Sequence, residues 1–174
     1  MVQAAHRPGR SRVRPGLGWV RSAVDELSGL EHPGTGLGQA LRDLAADFRS
    51  ARLLRVSVRV SGCQRQLPAA VEHSLFQICQ EGLWNVVRHA QASQAWLSLG
   101  YGGGQVRLSV ADDGAGDPAD AARYLSASDA VAAGRHGLRN MAERTAELDG
   151  VIRAQRRRGG GLRITVSIPS ASAA

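Results

Sequence analysis

The stretch Gln80–Ala90, with the sequence QEGLWNVVRHA, decides how this chain folds. It ends a run after Pro68 in which small or apolar residues recur at steps of three and four: Val71, Leu75, Ile78, Gly82 and Val86. This spacing predicts one helix over residues 68–90 with a face turned to a core. Polar residues recur by the same steps on another face: Glu81, Asn85, Arg88 and His89. An ordinary helix with one side exposed to solvent would show the same polar spacing. The segments downstream decide whether these polar residues are merely solvated or form one wall of a binding site.

The segments around this helix alternate in the manner of strands. Within residues 53–61, apolar residues at 54, 56, 58 and 60 alternate with Arg and Ser at 55, 57 and 59. This alternation predicts a half-buried strand whose apolar face the helix covers. Residues 95–99 and 106–110 flank three glycines and predict a hairpin, and residues 151–155 and 162–168 predict a second one. The sequence therefore predicts a two-layer α/β sandwich with a mixed, mostly antiparallel sheet and helices on one face.

Two further helices are predicted in the remaining part of this unit. Residues 37–48 and 136–148 show helical spacing of apolar residues. Residues 117–133, rich in Ala, Asp and Ser, are predicted to form a long loop, and a loop of this length is usually functional or mobile.

The predicted domain organisation has four parts. Residues 1–16 are expected to be a disordered basic arm, and residues 17–50 a helical lead-in that includes a short amphipathic helix over 17–30. Residues 51–169 form the main domain, and residues 170–174 a tail.

Composition and charge narrow the classes of function. All 22 basic residues are arginine, and the formal net charge is +7. Residues 1–24 carry +5, residues 25–150 carry 12 arginines against 15 acidic residues, and residues 151–174 carry +5. Basic ends without interleaved aromatic residues favour solvated arms over specific nucleic-acid binding.

No apolar run approaches the roughly 20 residues that span a bilayer, so we expect no membrane segment and a cytoplasmic location. Cys63 and Cys79 lack metal-ligand spacing and predict neither a disulfide nor a metal site.

Two glycine-containing motifs follow the helix and complete a pattern. Residues 110–116 read VADDGAG and residues 134–141 read GRHGLRNM. Together with QEGLWNVVRHA, in this order, they resemble the ATP-binding catalytic domain of sensor histidine kinases, within the ATPase superfamily that includes DNA gyrase B. The match covers residues 53–169 and is to the subgroup paired with helix-turn-helix response regulators. The resemblance implies a Bergerat-type ATP-binding fold.

The resemblance also implies roles for the polar wall of the helix. Glu81 would orient or deprotonate the nucleophile, Asn85 would bind Mg²⁺ and nucleotide, and Arg88 would neutralise phosphate charge. His89 is a candidate nucleotide contact, although a histidine near a helix end also caps carbonyl groups. Asp112 would accept a hydrogen bond from the adenine amine, although an Asp that ends a strand before a Gly turn is common for structural reasons.

The glycine motifs are expected to contact the nucleotide through their backbone. Gly114 and Gly116 would let the chain approach the base and sugar, and the segment His136, Gly137 and Leu138 would bind phosphate. Two positions depart from the family pattern. Arg135 replaces the first glycine of the second motif, and Leu162 stands where the family often has threonine.

The predicted function is the ATP-binding catalytic module of a sensor histidine kinase, with ATP and Mg²⁺ as cofactors. It would transfer the γ-phosphate to a histidine of a dimerisation domain not contained in this chain, and its partners would be that domain and a response regulator. A homodimer is a further expectation. An anti-sigma-factor-like serine kinase and a degenerate nucleotide-binding interaction module remain as alternatives.

Overall fold

A computed structural model describes residues 36–126 and 136–169. Its helices are α1 (Gly36–Ser50), α2 (Ala69–Asn85), α3 (Pro118–Ser126) and α4 (His136–Ala146), and a π-helical turn, Val86–Ala90, follows α2. The strands are β1 (Arg55–Ser61), β2 (Gln94–Gly102), β3 (Gln105–Asp112), β4 (Val151–Arg156) and β5 (Leu162–Pro169). The predicted helix over 17–30, the basic arm and the tail lie outside the described residues, as does Arg135.

The five strands form one sheet in the order β1-β2-β3-β5-β4. β1 pairs with β2 in parallel, and the other three pairings are antiparallel. Inward strand residues and the apolar sides of α1, α2 and α4 make one core, because each strand exposes only alternate residues to the helices. The two-layer α/β sandwich with a mixed, mostly antiparallel sheet is therefore confirmed.

Helix α1 belongs to the same core. Its five apolar residues spaced for one helix face are all buried: Leu37, Leu41, Leu44, Ala45 and Phe48. They pack against β1 and α2, so the helix that leads into the domain contributes to its core.

The predicted single helix over 68–90 is corrected in its last turn. The α-helical pattern ends at Asn85, and residues 86–90 form the wider π turn before Gln91, whose φ of 52° is left-handed. The carbonyl of Ala90 then accepts a hydrogen bond from the amide of Ala115 at 2.9 Å. The turn thus closes against the segment after β3, and π turns of this kind are frequent at functional sites.

The predicted loop over 117–133 is wrong for its first half, which contains helix α3. Asp117 caps this helix, since its Oδ1 accepts a hydrogen bond from the amide of Ala119 at 2.9 Å. Pro118 stands at the first helical position, where its missing amide hydrogen is not needed. The Asp-Pro start and the Ala-rich composition are signals that apolar periodicity does not capture. Residues 127–135 lie outside the described part.

The turn after β1 gives a stability prediction. Gly62 has a φ of 83°, and a Cβ there would overlap the carbonyl oxygen of Tyr101. Gly62→Ala should lower the free energy of unfolding by about 2 to 5 kcal/mol, the sum of backbone strain and steric overlap.

Gly103→Ala is the matched control, because Gly103 also has a positive φ, 58°, but a methyl group added there would have nothing within 4 Å. It should cost about 1 to 2 kcal/mol, the strain alone. Urea unfolding of both variants checks the comparison, and equal losses would contradict the overlap at Gly62.

Candidate nucleotide-binding site

A cleft of about 490 Å³ opens between the end of α2, the ends of β3 and β5, and the helices α3 and α4. Nine of the ten predicted site residues line it: Glu81, Asn85, Arg88, His89, Asp112, Gly116, His136, Gly137 and Leu138. These residues come from segments up to 57 positions apart, and the fold brings them to one place. Their contacts with a ligand remain predictions.

The tenth predicted residue, Gly114, does not line the cleft. A Cβ on Gly114 would overlap the carbonyl oxygen of Ala90. The glycine is therefore needed where the segment after β3 closes against the π turn, which is a role inside the protein.

The polar side of α2 forms one wall of the cleft. The side-chain nitrogen Nδ2 of Asn85 lies 4.0 Å from Sδ of Met141 in α4, and this orientation leaves the carbonyl oxygen for other contacts. Glu81, one turn earlier, is half-buried and lies against Gly137, where an added Cβ would overlap its carboxylate. Gly137 thus lets the start of α4 approach the Glu81 carboxylate closely.

Arg88 is held over an aromatic ring. Its Cζ lies 5.6 Å from the centroid of Trp84, and the ring of Trp84 lies 5.1 Å from that of Phe48 in α1. Both aromatic side chains are fully buried. A guanidinium above an indole is attracted by the electrons of the ring. The stack therefore connects α1, through the core, to a cation on the cleft.

Asp112 ends β3 and is almost fully buried, with 3% of its surface exposed. Its Oδ1 accepts a hydrogen bond from the amide of Gly114 at 2.8 Å, and the amide of Leu162 lies 3.5 Å away. Burial raises the pKa of this carboxyl group, and the two amides partly offset that effect. Oδ2 accepts no hydrogen bond within the described part of the chain. One oxygen is thus fixed by the backbone and the other can bind a donor.

The β4–β5 turn must come very close to Asp112. Gly161 has a φ of 88°, and a Cβ on it would overlap the carbonyl oxygen of Asp112. Leu162 and Ile164 follow and give the cleft an apolar side. The position where the family pattern often has threonine therefore supplies apolar surface here.

Asp113 has a structural role that sequence reasoning did not identify. Its carboxylate accepts hydrogen bonds from the amides of Ser93 and Gln94, at 2.8 and 2.9 Å, and from the Ser93 hydroxyl at 2.6 Å. The Ser93 hydroxyl is the main reason that the pKa of Asp113 is lowered. These bonds fasten the segment after the π turn to the end of β3.

Several residues on the cleft were missed from the sequence: Asp117, Asp120, Ala121, Asn140 and Ile164. Asp117 and Asp120 were missed because helix α3 was predicted to be a loop. Asn140 lies four residues after His136 in α4 and therefore on the same face of the helix. This spacing was the sequence signal that could have identified it.

The chain belongs to the family of histidine kinase-, DNA gyrase B- and HSP90-like ATPases, whose model matches residues 70–172, more than half of its length. The resemblance indicated by the three motifs is thereby confirmed. No described helix is long and apolar enough to cross a membrane.

Among curated relatives, the sensor histidine kinase LiaS of Bacillus subtilis is 34% identical over 150 residues, which is 86% of this chain and 39% of LiaS. The nitrate/nitrite sensor protein NarX of Escherichia coli is 32% identical over 103 residues, 59% of this chain and 16% of NarX. The chain thus spans well under half the length of these relatives.

Solved structures share the fold. The histidine kinase domain of the blue-light activated kinase of Erythrobacter litoralis EL346 aligns with a TM-score of 0.62 at 21% identity, covering 87% of this chain and 78% of that domain. Full-length ShkA, solved in complex with AMPPNP, aligns with a TM-score of 0.64 at 27% identity, covering 79% of this chain and 30% of ShkA.

The hydrogen bonds of Asp113 predict a pH-dependent stability. Its folded pKa lies below the unfolded value of 3.8, so the carboxylate stabilises the fold above that pH and loses this effect as the pH falls through the folded pKa. Asp113→Asn should be less stable than the wild type at pH 7, by about 1 kcal/mol or less because the group is exposed. The difference should shrink below about pH 4.

Chemical denaturation at neutral pH and at about pH 3 measures this change. Asp43→Asn is the control and should change stability little at either pH, because Asp43 is an exposed carboxylate whose hydrogen bond in the described part of the chain comes from Gln39, one turn away in α1. A deficit in Asp113→Asn that persists at the acidic pH would contradict the assigned role.

Proposed function

We propose that this chain is the ATP-binding catalytic module of a sensor histidine kinase and transfers the γ-phosphate of ATP to a histidine of a dimerisation domain. The observation that carries the proposal is Asp112, a buried carboxylate with one oxygen fixed by backbone amides and one oxygen open on the cleft. Such a group suits the exocyclic amine of adenine, since an ionised carboxylate only accepts hydrogen bonds. ShkA, which shares the fold, was solved with the ATP analogue AMPPNP.

The phosphate end of the nucleotide would lie across the cleft, near Arg88 and the start of α4. Arg88 is held over Trp84, and α4 begins with His136, Gly137 and Leu138 on the cleft. Free amide groups and the positive end of the helix dipole favour anions at such a helix start.

The residues present fit a magnesium ion bound mainly by phosphate and water. Mg²⁺ takes oxygen ligands and usually only one or two from the protein. The orientation of Asn85, with its nitrogen towards Met141, leaves its oxygen for the ion. Magnesium would neutralise phosphate charge when bound, and Asn85 would hold it in place.

Glu81 is the proposed base for the incoming nucleophile. It lies one turn before Asn85 on the same wall and against the start of α4, so it is near the proposed magnesium ligand and a proposed phosphate-binding element. The five histidines of the sequence, His6, His32, His73, His89 and His136, are followed by Arg, Pro, Ser, Ala and Gly. None has the acidic neighbour that marks the acceptor in the resembled family, so the acceptor would be presented by another domain.

The proposed function implies two partners, a histidine-bearing dimerisation domain and a response regulator. The module would work in a homodimer. LiaS and two other curated relatives, MctS and LnrJ, are named sensor histidine kinases, which supports this assignment over a serine kinase of the anti-sigma-factor type.

Replacing the adenine contact should weaken nucleotide binding. Asp112→Asn loses a charge-assisted hydrogen bond, so the Kd for ATP with Mg²⁺ should rise about 10- to 100-fold. Asp120→Asn, an exposed carboxylate on the same cleft, is the matched control and should change the Kd less than about threefold. Titration calorimetry with ATP and Mg²⁺ measures the Kd of the wild type and of both variants. Equal affinity of wild type and Asp112→Asn would remove the nucleotide assignment.

Removing the proposed base should separate binding from catalysis. Glu81→Gln keeps the shape of the side chain, so ATP affinity should stay within a few-fold, whereas phosphotransfer should fall about 10²- to 10⁴-fold. The assay supplies an excised histidine-kinase dimerisation domain and γ-labelled ATP, and acid lability identifies phosphohistidine. Glu143→Gln, on the exposed side of α4, serves as control. Unchanged transfer by Glu81→Gln would show that Glu81 is not the base.

A further inference from the structure

The face of the sheet that the helices do not cover carries a concentrated positive charge. None of the outward positions of the five described strands is Asp or Glu. The same face exposes arginines on four of its strands: Arg55 and Arg59, Arg107, Arg153, and Arg163. The acidic residues of the described chain lie instead on the helices, at the cleft and in the turns.

Three of these arginines surround a shallow depression on β3, β5 and β4, which we name the basic trough. Its rim carries Arg107, Arg153 and Arg163, and its floor is made of the hydroxyl-bearing residues Ser109, Thr165 and Ser167. Residues that face one another across β3, β5 and β4 form rows, and three neighbouring rows each contain one arginine. Arg107 lies on β3, Arg163 on β5 and Arg153 on β4. From the spacing of strands and residues, the three Cα atoms lie about 8 to 14 Å apart.

The rim guanidinium groups have no acidic partner among residues 36–126 and 136–169. None of the three forms an ion pair within the described residues, and Nε of Arg107 contacts only the hydroxyl of Ser167, at 3.4 Å. Guanidinium groups donate hydrogen bonds and accept none. The trough therefore offers an array of donors and positive charge that an acceptor-rich anionic partner would match.

The spacing and surroundings indicate what kind of anion fits. The Cα atoms of the three rim arginines, about 8 to 14 Å apart on three strands, suit an anionic partner with several charged groups spread along its length. Trp96, the aromatic residue at an outward position of the described strands, is half-buried, and Cζ of Arg157 lies 4.0 Å from its ring centroid. Stacking of nucleic-acid bases on this ring would have to displace Arg157. Val151, 53% exposed, is the only large hydrophobic side chain exposed in the described part, and it lies on the rim.

We propose that the basic trough and Val151 form a docking surface for an acidic segment of a partner protein. Several carboxylates spaced along such a segment would pair with Arg107, Arg153 and Arg163, and an apolar side chain next to them would cover Val151. The surface lies on the opposite side of the sheet from the nucleotide cleft. Docking there would leave the cleft open, and the proposal does not depend on nucleotide binding.

Two triple variants with the same net charge test the location of binding. R107Q/R153Q/R163Q removes the rim, whereas R42Q/R52Q/R144Q removes three arginines from the helical side. The full chain is titrated at roughly 50 mM salt with a fluorescein-labelled peptide of about ten residues, Asp and Glu with one leucine to cover Val151. The rim triple should raise the Kd about tenfold or more and the matched triple less than about twofold, since local charge pairing decides affinity. Circular dichroism and thermal unfolding verify that both variants fold.

A second measurement separates the trough from the arginine-rich residues 1–24, which attract anions in both variants. A photoreactive version of the peptide should crosslink to β3, β4 and β5, and Val151→Ser should reduce its affinity at about 300 mM salt, where charge is screened. Crosslinks confined to residues 1–35, or equal weakening in the two triples, would overturn the proposal.

Two other anions are tested beside the peptide: a single-stranded DNA of about 15 nucleotides and vesicles of phosphatidylcholine with phosphatidylglycerol. Both should bind more weakly than the peptide. Tighter binding of either one, lost in the rim triple and kept in the matched triple, would refute the protein partner and assign the trough to nucleic acid or to an anionic membrane.

Discussion

The close packing of Gly82 in α2 against Val110 in β3 is the contact on which the rest of the structure depends. A Cβ on Gly82 would come within 3.0 Å of the Val110 side chain, so the helix lies nearer the sheet than a larger residue allows. Glu81 and Asn85 stand beside Gly82 on the helix, and Asp112 follows Val110 by two residues. This one contact therefore sets the width of the cleft between the proposed catalytic wall and the proposed base-binding carboxylate.

Burying Asp112 next to this contact has an energetic cost, and the surrounding backbone reduces it. Burial raises the pKa of the group, while the amides of Gly114 and Leu162 favour its ionised form. Gly114 and Gly161 bring those amides close because neither has a Cβ that would overlap the neighbouring carbonyl oxygens. The glycines near the cleft thus support the carboxylate as well as shape the space, and Gly114 does so through its close approach to Ala90.

Most of the fold could be predicted because its elements have strong local patterns. Alternation placed the five strands, and steps of three and four placed α1, α2 and α4, with the buried side of α1 correct at each residue. Helix α3 was missed because its nine residues include few large apolar side chains and show no clear period; its Asp-Pro start and its alanines were the remaining signals. The π turn was missed because residues 86–90 continue the helical spacing, and the different hydrogen bonding has no sequence signature.

The sequence by itself determined which residues could do chemistry: order and spacing in three motifs indicated the family, and nine of the ten residues chosen line one cleft. Tertiary structure alone decided what those residues contact. The ring beneath Arg88, the fastening of Ser93 by Asp113 and the apolar side at Leu162 depend on elements distant in sequence. Arg107, Arg153 and Arg163 likewise belong to no sequence motif. They form one charged surface only because strand pairing sets their register, and pairing between distant segments is a property of the whole fold.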